Sequence, residues 1–142
     1  MALALEQAEA AAARGEVPIG AVVIQGNKVV ASAGNRTREL ADPTAHAEML
    51  AIREACRALA SERLTGCDLY VTLEPCTMCA GAISFARLRR LYFGAADDKG
   101  GAVTSGVRFF AQPTCHHVPD VYAGLGEIES AAMLRTFFGN RR

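Results

Sequence analysis

Apolar positions along the chain alternate between helical and strand spacing. "ALALEQAEAAAARG" carries alanine and leucine through a helix-length run ended by Gly15, predicting a first helix over Ala2 to Arg14. "VPIGAVVIQGNKVVASAGN" then gathers β-branched residues in two groups, Val22, Val23 and Ile24, then Val29 and Val30. Gln25-Gly26-Asn27 between them is a hairpin turn signal, so two strands are expected. Helical spacing returns in "ADPTAHAEMLAIREACRALAS", where Met49, Ile52, Ala55, Cys56 and Leu59 recur on one side. Asp42 or Thr44 is the expected cap, and Pro43 suits the first turn. "DLYVTL" predicts a short buried strand, and "EPCTMCAGAISFARL" a second central helix with Pro75 at its start. "RRLYFGA" predicts a strand and "ADDKGGAVTSG" a glycine-rich loop. Val107 to Gln112 reads as a short helical segment, "HHVPDVYAG" as a weak strand, and "LGEIESAAMLRTFF" as a closing helix. Ile128, Ala131, Leu134 and Phe138 are expected on the buried face of that helix.

A helix, a hairpin and then alternating helices and strands imply an α/β fold, a sheet layered between helices on both faces. Functional groups in open α/β sheets gather where strands hand over to helices. Two such junctions here hold residues that do not look like packing. "TAHAE" contains His46 and Glu48, and "EPCTMC" contains Cys76 and Cys79.

Composition narrows what these residues can do. A chain of 142 residues reads as one domain, residues 1–142, large enough to build a core without a disulfide or metal. Apolar content of 51% and charged content of 21% fit a soluble globular enzyme or binding domain. The 15 basic and 15 acidic residues balance, so attraction to a nucleic acid must come from a local patch. No apolar run approaches the ~18 residues of a membrane span. The first residues carry Glu6 and Glu9 and lack the basic start and long apolar stretch of a signal peptide. The expected location is the cytoplasm, where thiols stay reduced. Five cysteines, an odd number, fit metal ligation or redox chemistry better than a disulfide framework.

Cysteines three apart at a helix start can face one ion, and a helix N-terminus favours thiolate. His46 can complete a three-ligand set of the kind found in catalytic zinc sites, with the fourth position left for water. Glu48 stands two residues from His46, about 200° around a regular helix. The two can serve one site only if it lies beyond the helix tip. There Glu48 is better suited to moving protons than to ligation.

His46-Ala47-Glu48 followed by Pro75-Cys76-Thr77-Met78-Cys79 resembles the zinc-dependent cytidine/adenosine deaminase superfamily. "EVPIGAV", "GNRT", "DPTAHAE", "LYVTLEPCTMCAGAI", the "GA" after the fourth strand and the terminal "FF…RR" are similar to the bacterial tRNA-specific adenosine deaminases, over nearly the whole chain. The resemblance implies a three-layer cytidine-deaminase-like fold with a five-stranded mixed sheet. It implies one Zn2+ per subunit on His46, Cys76 and Cys79, and Glu48 as general acid/base. Asn35 would hydrogen-bond the target nucleoside, Val17, Ala47, Leu73 and Pro75 would form the base pocket, and Asp97 would lie close to the nucleotide. The implied activity is hydrolytic deamination, by a zinc-hydroxide mechanism, of the wobble adenosine of an arginine tRNA, with the anticodon stem-loop as partner and a homodimer as the working form. The chain departs from the family in its short N-terminus and in Arg108 to His117.

Other readings are weaker. Cys76 and Cys79 alone would also fit a thioredoxin-like redox pair, but His46-Ala47-Glu48 in register argues against it. A zinc-stabilised interaction module has no use for Glu48. Deamination of a free base or nucleotide, guanine or cytosine, shares the whole zinc signature. Cys56, Cys67 and Cys115 read as small packing residues, and "CHHVPD" as a surface turn or RNA-facing loop rather than a second metal site. Arg87, Arg89 and Arg90 fit either a solvated edge between helix and strand or a phosphate-binding patch, the second being what the resemblance favours, and Lys99, Arg108, Arg141 and Arg142 are similar cases.

Overall fold

A computed structural model of the chain describes residues 1–139. The elements run α1 (Ala2–Ala13), β1 (Gly20–Gln25), β2 (Lys28–Gly34), α2 (Ala47–Leu59), β3 (Cys67–Leu73), α3 (Thr77–Phe85) and β4 (Arg90–Ala95). A 3₁₀ turn (Phe109–Ala111), β5 (Asp120–Ala123) and α4 (Glu127–Gly139) follow. The five strands form one sheet in the order β2-β1-β3-β4-β5. β1 runs antiparallel to β2 and β3, whereas β3, β4 and β5 are parallel. The expected five-stranded mixed sheet is therefore present.

Parallel neighbours need a crossover, and α3 supplies it between β3 and β4. α1 and α4 pack on one face of the sheet, and α2 and α3 on the other. Strands covered on both faces read as continuous apolar runs, which is why β3 and β4 bury Leu69, Val71, Leu91 and Phe93 completely. Ala47, Ala51 and Ala55 of α2 and Ile83 of α3 close the core from one side. On the other side α1 approaches so closely that a Cβ on Gly20 would overlap the Ala4 carbonyl and sit 2.6 Å from the Ala8 nitrogen, so that contact requires glycine.

Four expected features shift. α2 does not start at Asp42 or Thr44 but at Ala47. Asp42 Oδ1 accepts from the Thr44 backbone N at 2.8 Å and the Thr44 hydroxyl at 2.7 Å, so both caps are spent on a local turn. α3 starts at Thr77, leaving Glu74 and Pro75 outside the helix. The third shift concerns α4. Ile128 is 79% exposed and Phe138 51%, whereas Ser130 and Phe137 are buried. The Ser130 hydroxyl donates to the Thr72 carbonyl of β3. That bond turns the polar residue inward, and Phe137, two turns on, lies on the same face. Apolar spacing alone selected a face rotated from this one, with Ala131 and Leu134 half-buried at the boundary between the two. The segment expected to be helical over Val107 to Gln112 holds only the single 3₁₀ turn.

Candidate active site

Topology gathers one edge of the sheet. β1 is antiparallel to β2 and β3, so its start lies beside their ends, and the Gly20 N–H donates to Thr72 Oγ1 at 3.1 Å across that edge. β4 ends at the same place, with Ala95 paired to Leu73. Val17, Asn35, Leu73, Pro75 and the Asp97 loop all follow or precede these strand ends.

The two central helices begin at this edge, and each is N-capped by a candidate ligand. His46 caps α2 with extended backbone, φ −72° and ψ 150°. Cys76 caps α3 in the same way, φ −75° and ψ 177°. The Asp42 turn makes this possible, because it holds residue 46 off the helical path. The 200° opposition of His46 and Glu48 then no longer applies, and both serve a site beyond the helix tip. His46 Nδ1 lies 3.6 Å from Cys76 Sγ and 3.5 Å from Cys79 Sγ, and the three ligand atoms fall within 4.8 Å of one another.

These spacings fit a tetrahedral ion. Zinc–sulfur bonds of ~2.3 Å and zinc–nitrogen bonds of ~2.0 Å place neighbouring ligand atoms roughly 3.5–3.8 Å apart. Among the described residues this is the one His/Cys/Asp/Glu group with such geometry. The donor set fits a metal with a taste for sulfur and imidazole.

The protein groups alone place their negative charge on Cys76. A hydrogen bond from the Cys79 thiol, with a second from His46, outweighs burial and holds Cys76 at about 4. The same bond, then burial, pushes the Cys79 thiol far up. Hydrogen bonding to Cys76 in turn raises His46. Metal binding would therefore release the Cys79 proton, as thiolate ligation demands. Glu48 is only 4% exposed. Burial raises its pKa, partly opposed by its own backbone N–H, by His46 and by a hydrogen bond with Cys79. A carboxyl poised to hold a proton beside a metal site is suited to general acid/base work.

Ala47 and Pro75 are buried next to the ligands, and Val17 and Leu73 are half-buried. Asn35 sits just beyond β2 and is buried, its amide donating to Thr37 Oγ1 at 3.3 Å. Asp97 Oδ1 accepts from the Lys99 and Gly100 N–H groups at 3.1 and 3.0 Å, closing a tight turn.

Two carboxylates escaped the sequence reading. Glu74, expected as the first residue of α3, is 2% exposed and accepts hydrogen bonds from the loop after β4. Burial alone would raise its pKa, but the N–H groups of Asp97, Val103 and Thr104 and the Ser105 hydroxyl hold it below the usual range. Glu16 is equally buried and accepts from the Arg38 and Glu39 N–H groups at 3.0 and 3.2 Å. Nothing in the spacing marks either residue, since their donors are backbone groups far along the chain.

The arginine patch stands elsewhere. Arg87, Arg89 and Arg90 lie at the start of β4, a strand length of roughly 17 Å from the Asp97 end. Arg89 forks onto Asp68 at 2.9 and 2.8 Å, and Arg87 reaches the His116 carbonyl. Arg141 and Arg142 lie outside the described residues. His117 of "CHHVPD" is pinned by Nε2 to the Leu88 carbonyl at 2.7 Å, a packing role rather than a ligand set. Cys67 is buried in the core as expected, while Cys56 and Cys115 are half-buried.

A three-layer α/β fold whose sheet edge presents His, two Cys and a buried Glu defines a deaminase, and the family model described as MafB19-like deaminase matches residues 1–142. The chain is 68% identical over 142 residues to a tRNA-specific adenosine deaminase of Agrobacterium fabrum, covering 100% of this chain and 93% of that protein. A structure solved in work on A-to-I editing by tRNA:A34 deaminases at the wobble position superposes with a TM-score of 0.93 at 69% identity, over 94% of this chain and 97% of the other. A guanine deaminase from Bacillus subtilis is more distant, with a TM-score of 0.66 at 31% identity over 98% and 92% of the two chains. The chain belongs to the tRNA-specific adenosine deaminase family.

Proposed function

We propose that the protein deaminates the wobble adenosine of a tRNA anticodon loop to inosine, with an arginine tRNA as the substrate. The gathering of His46, Cys76 and Cys79 beside the buried carboxyl of Glu48 carries the deaminase chemistry, and 68% identity over 142 residues to a tRNA-specific adenosine deaminase carries the choice of substrate. His46 Nδ1 and the two Sγ atoms would hold one zinc ion per subunit. When bound, zinc supplies a Lewis acid that lowers the pKa of water from 15.7 toward ~7.

Glu48 accepts a proton from the attacking water and delivers it to the exocyclic nitrogen. The water oxygen first adds to C6, making it tetrahedral while N1 takes up one proton. The C6–N bond then breaks, the exocyclic nitrogen leaves with the other water proton as ammonia, and the oxygen remains as the C6 carbonyl of inosine. Burial suits Glu48 to this relay, because a carboxyl in low dielectric holds the proton long enough to pass it on. Ala47 and Pro75, with Val17 and Leu73, would wall the base, Asn35 would hold the nucleoside, and Asp97 would stand by the nucleotide. A base in a loop can be received unstacked at little cost, whereas extracting a paired base costs a few kcal/mol.

The chain works in this reading as a single deaminase domain, in the cytoplasm and as a homodimer. An exposed aromatic residue supports the second copy: Phe85 at the end of α3 is 80% exposed beside a groove lined by Ile52, Cys56 and Ala82 and by the charged Glu62, Arg63 and Arg87. No helix among the described residues is long and apolar enough to cross a membrane.

Incubation with total bacterial tRNA, followed by nucleoside mass spectrometry and sequencing for adenosine read as guanosine, tests the reading. The expected result is one dominant conversion at the wobble position of an arginine tRNA. Efficient deamination of free guanine or cytosine with tRNA untouched would overturn it.

A further inference from the structure

We propose that Glu74 is a positioning residue that clasps the loop after β4 and thereby sets Asp97 against the Cys76 turn, a reading that rests on the tRNA deaminase function above. The clasp is dense. Oε1 accepts from the Asp97 N–H at 2.9 Å and the Ser105 hydroxyl at 3.0 Å. Oε2 accepts from three successive N–H groups, Val103 at 3.0 Å, Thr104 at 2.9 Å and Ser105 at 3.0 Å. Successive backbone N–H groups form a concavity that binds anions, and here a carboxylate of the same chain fills it.

The neighbouring backbone is tied in as well. The Glu74 N–H donates to the Ala95 carbonyl at 2.8 Å, and the Pro75 carbonyl accepts from Ala102 at 2.9 Å. Gly101 runs so close that a Cβ there would overlap Glu74 Cδ and lie 2.6 Å from Oε2. A loop without regular structure must find partners for its backbone N–H groups. Here one side chain, a single residue from Pro75 and two from Cys76, satisfies four of them. The segment that supplies a metal ligand and a pocket wall is therefore joined to the segment that carries Asp97. Displacing the loop displaces Asp97 but leaves His46, Cys76 and Cys79 in place.

Both carboxylate oxygens are used, so the isosteric amide cannot substitute. Whichever way a glutamine at this position is turned, its NH2 meets N–H donors. The test is Glu74→Gln, with zinc content, steady-state kinetics on an anticodon stem-loop, and amide hydrogen exchange at Asp97, Val103, Thr104 and Ser105. The expected result is wild-type zinc, faster exchange at those four amides, and kcat/KM down ~10–100-fold, carried mainly by KM, as loss of one or two charge-assisted bonds predicts. A wild-type KM with unchanged exchange, or zinc lost in parallel with kcat, overturns the positioning role. If Glu74→Gln does not fold, Ser105→Ala and Gly101→Ala disturb the same carboxylate from the other side. Raised KM and faster exchange in these variants support the clasp, and no change in either overturns it. Failure of the wild-type protein to convert tRNA would instead sink the functional reading, whereas the exchange data judge the clasp independently of turnover.

Discussion

Glu48 and Glu74 are both removed from water, 4% and 2% exposed, and each sits at one of the two junctions that supply the candidate metal-ligand set. Their surroundings differ in what they offer. Glu48 meets little beyond its own backbone N–H and the Cys79 thiol, and burial raises its pKa. Glu74 receives four backbone N–H groups and a hydroxyl, which outweigh burial and lower its pKa. A carboxylate with few donors is ready to exchange protons. One saturated with donors is a fixed anchor. Burial does not distinguish the two; the count of donors does.

The comparison can be broken most sharply at the metal. His46→Ala or Cys76→Ser should lose zinc and activity together, because three ligands leave none to spare. Elemental analysis alongside inosine formation measures this, and zinc retained at one per chain in both variants would contradict the ligand set. Next in size is Glu48→Gln. It should keep zinc and lose ~10²–10⁴-fold in turnover, with KM little changed. Near-normal single-turnover rates in the zinc-loaded variant would make Glu48 an anchor like Glu74 and erase the distinction.

Stability variants at residues outside the proposed ligand set and pocket sharpen the comparison by separating folding from function. Phe137→Ala should destabilise by about 3 kcal/mol, as for a large side chain lost from a core, and should leave KM for tRNA unaltered once the protein is folded. A raised KM in this variant would show that loss of stability alone mimics the Glu74 effect. Glu16→Gln should cost about 1–2 kcal/mol in urea unfolding, through the Arg38 and Glu39 N–H groups it leaves poorly paired. At the small end, Ile128→Ala should change stability by less than about 0.5 kcal/mol, since its side chain faces solvent. A loss of several kcal/mol there would restore the buried face expected from apolar spacing.

Much of the site was legible in the chain. Cys76 and Cys79 stand three apart, and His46 and Glu48 are types whose chemistry is local to the side chain, so composition and spacing suffice to nominate them. The strands were legible because β-branched and aromatic runs of the β3 and β4 kind are buried on both faces and admit few polar residues. Helix starts were less so. "ADPT" reads as a cap and a first turn, and the same residues serve equally well as a free-standing Asx turn. The choice between the two is worth only a kcal/mol or so, and the packing of Ala47 and Ala51 against the sheet makes it.

The sequence by itself therefore determined the order of elements and the layered class of fold and nominated the ligand and acid/base residues, because each depends on residue type and short spacing. Tertiary structure alone decided three things. It turned Ser130 and Phe137 of α4 inward, since a hydroxyl that finds a backbone carbonyl on β3 is as much at home in the interior as a leucine. It placed His46 and Cys76 at helix caps, where their side chains converge. It gave Glu74 its donors, which come from backbone N–H groups between 23 and 31 residues away. Every residue but proline carries such a group, so no pattern of side chains can announce where it will meet a carboxylate.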